Sequence, residues 1–287
     1  MPSTREIRYR IKSVGNISKI TNAMQLVAAS KMRRAQQRVL ESRAYAEQLA
    51  ALLPSVAGAV EGLDQLNLPL LESRAVRNPL FLLITPDRGL AGSLVSNTTR
   101  AAEGAFKQHE GRPLRVTTIG RKGERFVAIN RIDLAASFNS SENPTEEDVR
   151  PIARYLSEQF ATRQADAVTL VYPRFINTAV QKPVVQQLLP INADAMEGGN
   201  AGRSPIFDQP PAELLRNLIE HYVQVELFQA LLEANASEHS ARMVAMKNAT
   251  DNATELTEEL TLEYNKVRQE AITNELLDIV GGSSAMN

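Results

Sequence analysis

Near one end of the chain, apolar residues fall at Met243, Met246, Ala249, Ala253, Leu256, Leu260, Tyr264, Val267 and Ala271, in steps of three and four. That spacing keeps one face of an α-helix apolar and approximates a coiled-coil seam. From Ala212 to about Val280 there is no proline or glycine, the two strongest helix breakers. One helix about 100 Å long is therefore predicted from the 1.5 Å rise per residue. A stripe of that length needs a partner, and the other end of the chain carries one. Ser3 to Leu53 contains no proline and a single glycine, Gly15, with apolar residues at Ile7, Ile11, Val14, Ile17, Ile20, Met24, Val27, Met32, Ala35 and Val39. An antiparallel coiled coil of the two chain ends is predicted, residues 1–53 against 211–287.

Between them the pattern changes. Pro54, Gly58, Gly62, Pro69 and Pro79 punctuate a stretch read as a linker over 54–78 with one short helical piece. Apolar runs of strand length follow at 79–85 (PLFLLIT), 114–119 (LRVTTI) and 166–172 (DAVTLVY). Residues 90–109 and 145–163 are helix-like, the second opening on Thr145-Glu146-Glu147-Asp148, a sound cap and dipole start. Strand alternating with helix predicts a parallel, doubly wound sheet, so 79–210 reads as an inserted α/β domain of Rossmann-like class. Residues 179–189 read as a last strand returning antiparallel to 166–172, and Pro183 places it at an edge or a bulge. A loop over 192–211 leads back to the long helix.

Charge sharpens the pairing. The total is −1, yet residues 1–45 carry about +8 and 211–287 about −8. Opposite charges on two helices of one chain favour their association and its register. With no cysteine, disulfides, thiol catalysis and cysteine zinc sites are excluded, as suits a reducing compartment. No apolar run approaches the length of a membrane-spanning helix. The arginine-rich, acid-poor N-terminus has a composition shared with transit peptides. The heptad pattern begins at Ile7 and runs on, so the segment is read as helix and no presequence is expected.

Candidate chemistry is sparse. TPDRGLAGS at 85–93 follows a strand and opens a helix, where glycine-rich turns cradle phosphates. It matches neither a phosphate-loop pattern nor a full GxGxxG, and a tight strand-to-helix turn is the simpler reading. His109, His221 and His239 lack metal-ligand spacing. Glu255, Glu258, Glu259 and Glu263 form a solvated helix face. Lys31-Met32-Arg33-Arg34 with Arg38 is basic, but it has no interleaved aromatic residues and faces an acidic helix, so no nucleic acid partner is expected. No catalytic residue, metal site or cofactor is assigned. A static scaffold and a small-molecule enzyme using the 85–93 turn remain as other readings.

Several blocks resemble the gamma subunit of F-type ATP synthase over essentially the whole length. They are IKSVGNISKITNAMQLVAASKMRRAQ at 11–36, DRGLAG at 87–92, GRKG at 120–123, FINT at 175–178 with QLLPI at 187–191, ARMVAMKNATDNATELTEEL at 241–260 and YNKVRQEAITNELLDIV at 264–280. The resemblance implies a central rotor shaft whose coiled coil lies along the axis of a ring of alternating alpha and beta subunits. The α/β domain would be the foot, touching the epsilon subunit and the membrane c-ring, with the delta subunit in the same complex. ATP and magnesium would bind on the beta subunits, so this subunit is expected to be no enzyme itself and not to insert in the membrane. Ala91 stands where many members have cysteine, and Pro86 precedes the aspartate of the turn. The cysteine-bearing insertion of the chloroplast form is absent. A bacterial enzyme on the cytoplasmic side of the cell membrane is implied. Carried over by position, contacts with the catalytic ring would come from Met24, Arg268, Gln269, Thr273 and Glu275.

Overall fold

The computed structural model describes residues 3–60, 66, 68–191 and 210–285. Residues 192–209 of the expected loop over 192–211, and residues 61–65 and 67 of the expected linker, lie outside the described residues. The architecture is the expected one: two long terminal helices and an inserted α/β sheet. Helix α1 spans Thr4–Ala57 (54 residues) and α5 spans Pro211–Ala285 (75 residues). Between them run β1 (Pro79–Ile84), α2 (Leu94–Lys107), β2 (Arg115–Ile119), α3 (Arg121–Ile129), β3 (Asp133–Phe138), α4 (Glu146–Ala161), β4 (Ala167–Phe175) and β5 (Gln181–Leu189). A short 3-10 turn occupies Pro69–Leu71.

Two compact units divide the chain, one of Met1–Ala28 with Arg242–Asn287, the other of Ala29–Ala241. In the second, the strand order is β3-β2-β1-β4-β5, parallel except for the β4/β5 pair. Every residue of central strand β1 is buried. Leu80, Leu82 and Ile84 face the side covered by α4, α5 and the last turns of α1. Phe81 and Leu83 face α2 and α3, with Phe81 edge-on to Phe106 at 4.9 Å between centroids. Pro183 sits in β5, which is an edge strand as predicted.

Helix α4 starts at a capping box. Thr145 Oγ1 accepts from the Asp148 amide, and the Asp148 carboxylate accepts from the Thr145 amide. Helix α1, in contrast, passes its predicted exit at Leu53 and runs through Pro54 for one more turn. Leu53, Val56 and Ala57 are all buried against the sheet. Their burial outweighs the hydrogen bond that proline deletes. The sequence reading missed α3 and β3. The helix RKGERFVAI is short and charged, and the strand DLAASF is small-chained and half-exposed at the sheet edge.

In the first unit α1 and α5 run antiparallel. Thr21 Oγ1 and Thr250 Oγ1 share a hydrogen bond of 2.7 Å, and Arg8 reaches both the hydroxyl and the ring face of Tyr264. The seam on α5 is Met246, Thr250, Ala253, Thr257, Leu260, Tyr264 and Val267; on α1 it is Ile7, Ile11, Val14, Ser18, Thr21, Gln25 and Ala28, in strict alternation of fours and threes. This corrects the predicted stripe. Ile17, Ile20 and Val27 are more than half exposed, and Leu256 is 44% exposed. Thr250 takes a seam position beside the expected Ala249, and Ala271 is exposed.

Candidate functional site

Doubly wound sheets bind ligands at the carboxyl edge of the strands where the order reverses, here β1 and β4. The turn after β1 contains TPDRGLAGS. Its Leu90 and Gly92 adopt φ of 62° and 56°, which lets the chain double back into α2. The turn locks against GRKG at the start of α3. Thr85 Oγ1 accepts from the Gly123 amide at 2.7 Å, and Asp87 Oδ1 accepts from the Arg121 amide at 2.9 Å. Gly120 has φ 93°, and a Cβ there would lie 1.9 Å from the Thr85 carbonyl oxygen. The amides at the start of α3 are thus committed to the neighbouring turn. Helix α5 covers the rest of the edge with Leu231, Ala234, Asn235 and Glu238. The cavity left among Ile84, Pro86, Pro173 and these residues is about 10 Å³, room for about one water. The turn is a packing device, as its simpler reading held.

Two members of the basic patch on α1, Lys31 and Arg38, are engaged inside their own unit, while Arg33 and Arg34 are exposed. Lys31 pairs with Glu142 at 2.7 Å, Arg38 donates to the Pro144 carbonyl, and Asn235 of α5 donates to the Glu142 carbonyl at 3.1 Å. These bonds strap the β3–α4 loop to the two helices. The Lys31 ammonium holds the Glu142 carboxyl below its ordinary range. Further along, Arg43 pairs with buried Glu233 of α5 at 2.7 Å. The histidines stand apart: His221 shares a hydrogen bond with Tyr45 and His109 one with Arg112. Among the described residues no group of three or more acidic, histidine or cysteine side chains is placed to hold a metal.

The five carried-over contact residues all belong to the first unit. Met24 is half-buried beside seam residue Gln25, while Arg268, Gln269, Thr273 and Glu275 are exposed. The Thr273 hydroxyl donates to the Gln269 carbonyl at 2.9 Å, one helical turn back. The pairs Thr21–Thr250 and Arg8–Tyr264 fix the register. In that register Thr4, where α1 begins, stands opposite about residue 268. Residues 269–285 therefore extend past the start of α1 as a single helix, which explains the exposure of Ala271, Ile272, Leu276 and Leu277. Met24 stands opposite about residue 247, roughly 30–40 Å along the coil from the 268–275 group. The structure thus brings Arg268, Gln269, Thr273 and Glu275 together on one helix end and sets Met24 apart from them.

Two long terminal helices and an inserted, doubly wound sheet whose carboxyl-edge crevice is nearly filled define an α/β protein organised around a helical coil. A family model described as ATP synthase matches residues 3–286. The chain is 44% identical over 287 residues to an ATP synthase gamma chain of Dehalococcoides mccartyi, covering 100% of both, and 44% identical to one of Roseiflexus castenholzii, covering 100% of this chain and 99% of that one. It belongs to the ATP synthase gamma chain family. Among solved structures it is similar to a chain of the Tetrahymena thermophila mitochondrial ATP synthase central stalk and c-ring, at 25% identity and TM-score 0.60, over 80% of this chain and 99% of that one. A chain of the Euglena gracilis mitochondrial ATP synthase shares the fold at 20% identity and TM-score 0.69, over 99% of this chain and 94% of that one. The chain is a subunit of an ATP synthase with the role of its central shaft, and no helix among the described residues is long and apolar enough to cross a membrane.

Proposed function

We propose that this subunit does no chemistry itself and couples ion flow through a membrane c-ring to ATP synthesis or hydrolysis on a ring of alpha and beta subunits. The α/β domain, residues 79–210, acts as the foot against the epsilon subunit and the c-ring, with the coiled coil of 1–53 and 211–287 as the shaft and the delta subunit elsewhere in the complex. The complex sits at the cytoplasmic side of a bacterial cell membrane, with this subunit peripheral to it. Arg268, Gln269, Thr273 and Glu275, with Met24 further down, supply the contacts to the catalytic ring. The observation that carries this reading is the lone end of α5. Beyond the start of α1 it exposes both polar groups and Ile272, Leu276 and Leu277, a surface suited to an enclosing partner rather than to solvent. The filled crevice at the carboxyl edge of the sheet supports a non-catalytic role.

Co-purification tests the reading. The chain is expected to associate with alpha and beta subunits at one copy per three pairs, and to bind no ATP alone. Recovery at one copy per pair, or micromolar magnesium-dependent ATP binding lost on Gly89→Ala, would contradict it.

A further inference from the structure

Glu233 of α5 is only 3% exposed. Its Oε1 accepts from Arg43 of α1 at 2.7 Å and from Gln229 Nε2 at 3.0 Å. Its Oε2 lies 3.4 Å from Arg174 Nε of β4, an ion pair without hydrogen-bond geometry. One buried carboxylate is thus shared by three elements drawn from the beginning, the middle and the end of the chain. Such a group is a poor source of stability, because desolvation offsets most of the attraction, and its best-attested use is to specify register.

The surrounding seam mixes large and small side chains. On α1 it contains Ala35 and Ala46 beside Val39, Leu49 and Leu53; on α5 it contains Ala230, Ala234 and Ala236 beside Leu227, Leu231 and Leu232. A slide of one turn, about 5.4 Å, puts Ala234 where Ala230 was. At such positions apolar burial discriminates weakly between registers, and a charged contact adds to the discrimination. A one-turn slide would carry Glu233 away from both arginines and leave a buried carboxylate without a counter-charge, which is strongly unfavourable.

We propose that Glu233, gripped by Arg43 and Arg174, is a positioning residue that pins α1 and α5 to each other and to the sheet against axial slip under load. The inference rests on the shaft reading, since only a subunit transmitting force needs the pin. Without it the catalytic ring still turns over ATP, but part of each step is lost as slippage and fewer ions are moved per ATP.

The test uses membranes carrying the complete ATP synthase, with ATP hydrolysis and ATP-driven ion pumping measured on the same preparation and melting measured on the purified chain. Glu233→Gln leaves Arg43 and Arg174, whose side chains are 39% and 41% exposed, without their counter-charge and is expected to lower the melting temperature by a few degrees. The apolar triple variant Arg43→Met, Arg174→Met, Glu233→Met regains most of that loss because no unpaired charge remains at the seam. In both, ions pumped per ATP fall several-fold. Arg174, whose side chain is 41% exposed, offers a variant that keeps the fold: Arg174→Met lowers the ratio and Arg174→Lys restores it. Wild-type coupling in Arg174→Met and in the triple variant would overturn the pin. If deleting the whole chain left pumping intact, the shaft reading itself would fall.

Discussion

Two glycines show how one missing Cβ serves opposite purposes. At Gly15, inside α1, a Cβ would meet nothing within 4 Å; at Gly120 it would collide with the Thr85 backbone at positive φ. Gly15→Ala should stabilise the chain by about 0.5–1 kcal/mol through helix propensity. Gly120→Ala should destabilise it by about 3 kcal/mol or more, since both strain and a backbone clash must be relieved. Urea titration of the two variants checks the pair, and similar midpoints would mean that the interlock of the two turns is not as described. Glu226 supplies the pH-dependent case. Burial pushes its carboxyl above the ordinary range, against the opposing hydrogen bonds from Gln186 and Tyr222. The folded chain therefore holds this proton more tightly than the unfolded one. The resulting stability is complete below the unfolded pKa, near 4.3, and is lost as pH rises through the raised value. Glu226→Gln should consequently raise the melting temperature more at pH 7 than at pH 4; an equal rise at both would show that the carboxyl titrates normally.

Among the elements, the long helices, three of the parallel strands and the returning edge strand were legible from spacing alone, because their periodicities are long and strongly apolar. The phase of the seam was not. Over residues 17–27 the larger apolar side chains Ile17, Ile20 and Val27 lie one position before Ser18, Thr21 and Ala28, which face the partner helix. Small and hydroxyl-bearing seam residues let the helices approach closely, and the Thr21–Thr250 bond satisfies both hydroxyls across the gap. Hydropathy ranks these residues low, so a stripe drawn from hydropathy drifts onto the exposed face. The same drift placed Leu256 in the seam instead of Thr257. Leu260→Asp should therefore weaken the coil by about 2 kcal/mol or more. Leu256→Asp, at an exposed position, should change stability by no more than about 0.5 kcal/mol. Thermal melting followed by circular dichroism separates them, and equal losses would restore the original stripe. α3 and β3 stayed illegible for a different reason: α3 is held by the Thr85–Gly123 contact and β3 by its pairing with β2, not by their own periodicity.

In the first unit α5 continues past the residue that faces the start of α1, and that fixes how the candidate contacts are arranged. The family resemblance had named Met24 together with Arg268, Gln269, Thr273 and Glu275 as ring contacts. The register of the coil sets them roughly 30–40 Å apart, with Met24 beside a two-helix seam, Arg268 opposite the start of α1 and the others beyond it. Contacts so far apart, with no shared partner among the described residues, are expected to act independently. The triple variant Arg268→Ala, Gln269→Ala, Thr273→Ala should leave helicity nearly intact, at a stability change of about 0.5 kcal/mol or less, and should slow ATP hydrolysis by the assembled enzyme. Met24→Lys places an ammonium at a half-buried position opposite the neighbourhood of Lys247. Among the described residues Asp251, exposed and one turn along α5 from Lys247, is the acid of this helix pair near that register, so the new charge stays at the surface of the coil, where the proposed ring would meet it. It should therefore impair ion pumping more than hydrolysis. Combined in one chain, the two changes should lower pumping by the product of their separate factors, within about the 0.5 kcal/mol scatter seen for distant sites. A combined loss no greater than the larger single one would mean that both zones serve a single bearing. Parallel losses of assembly, hydrolysis and pumping in Met24→Lys alone would instead make Met24 part of the core.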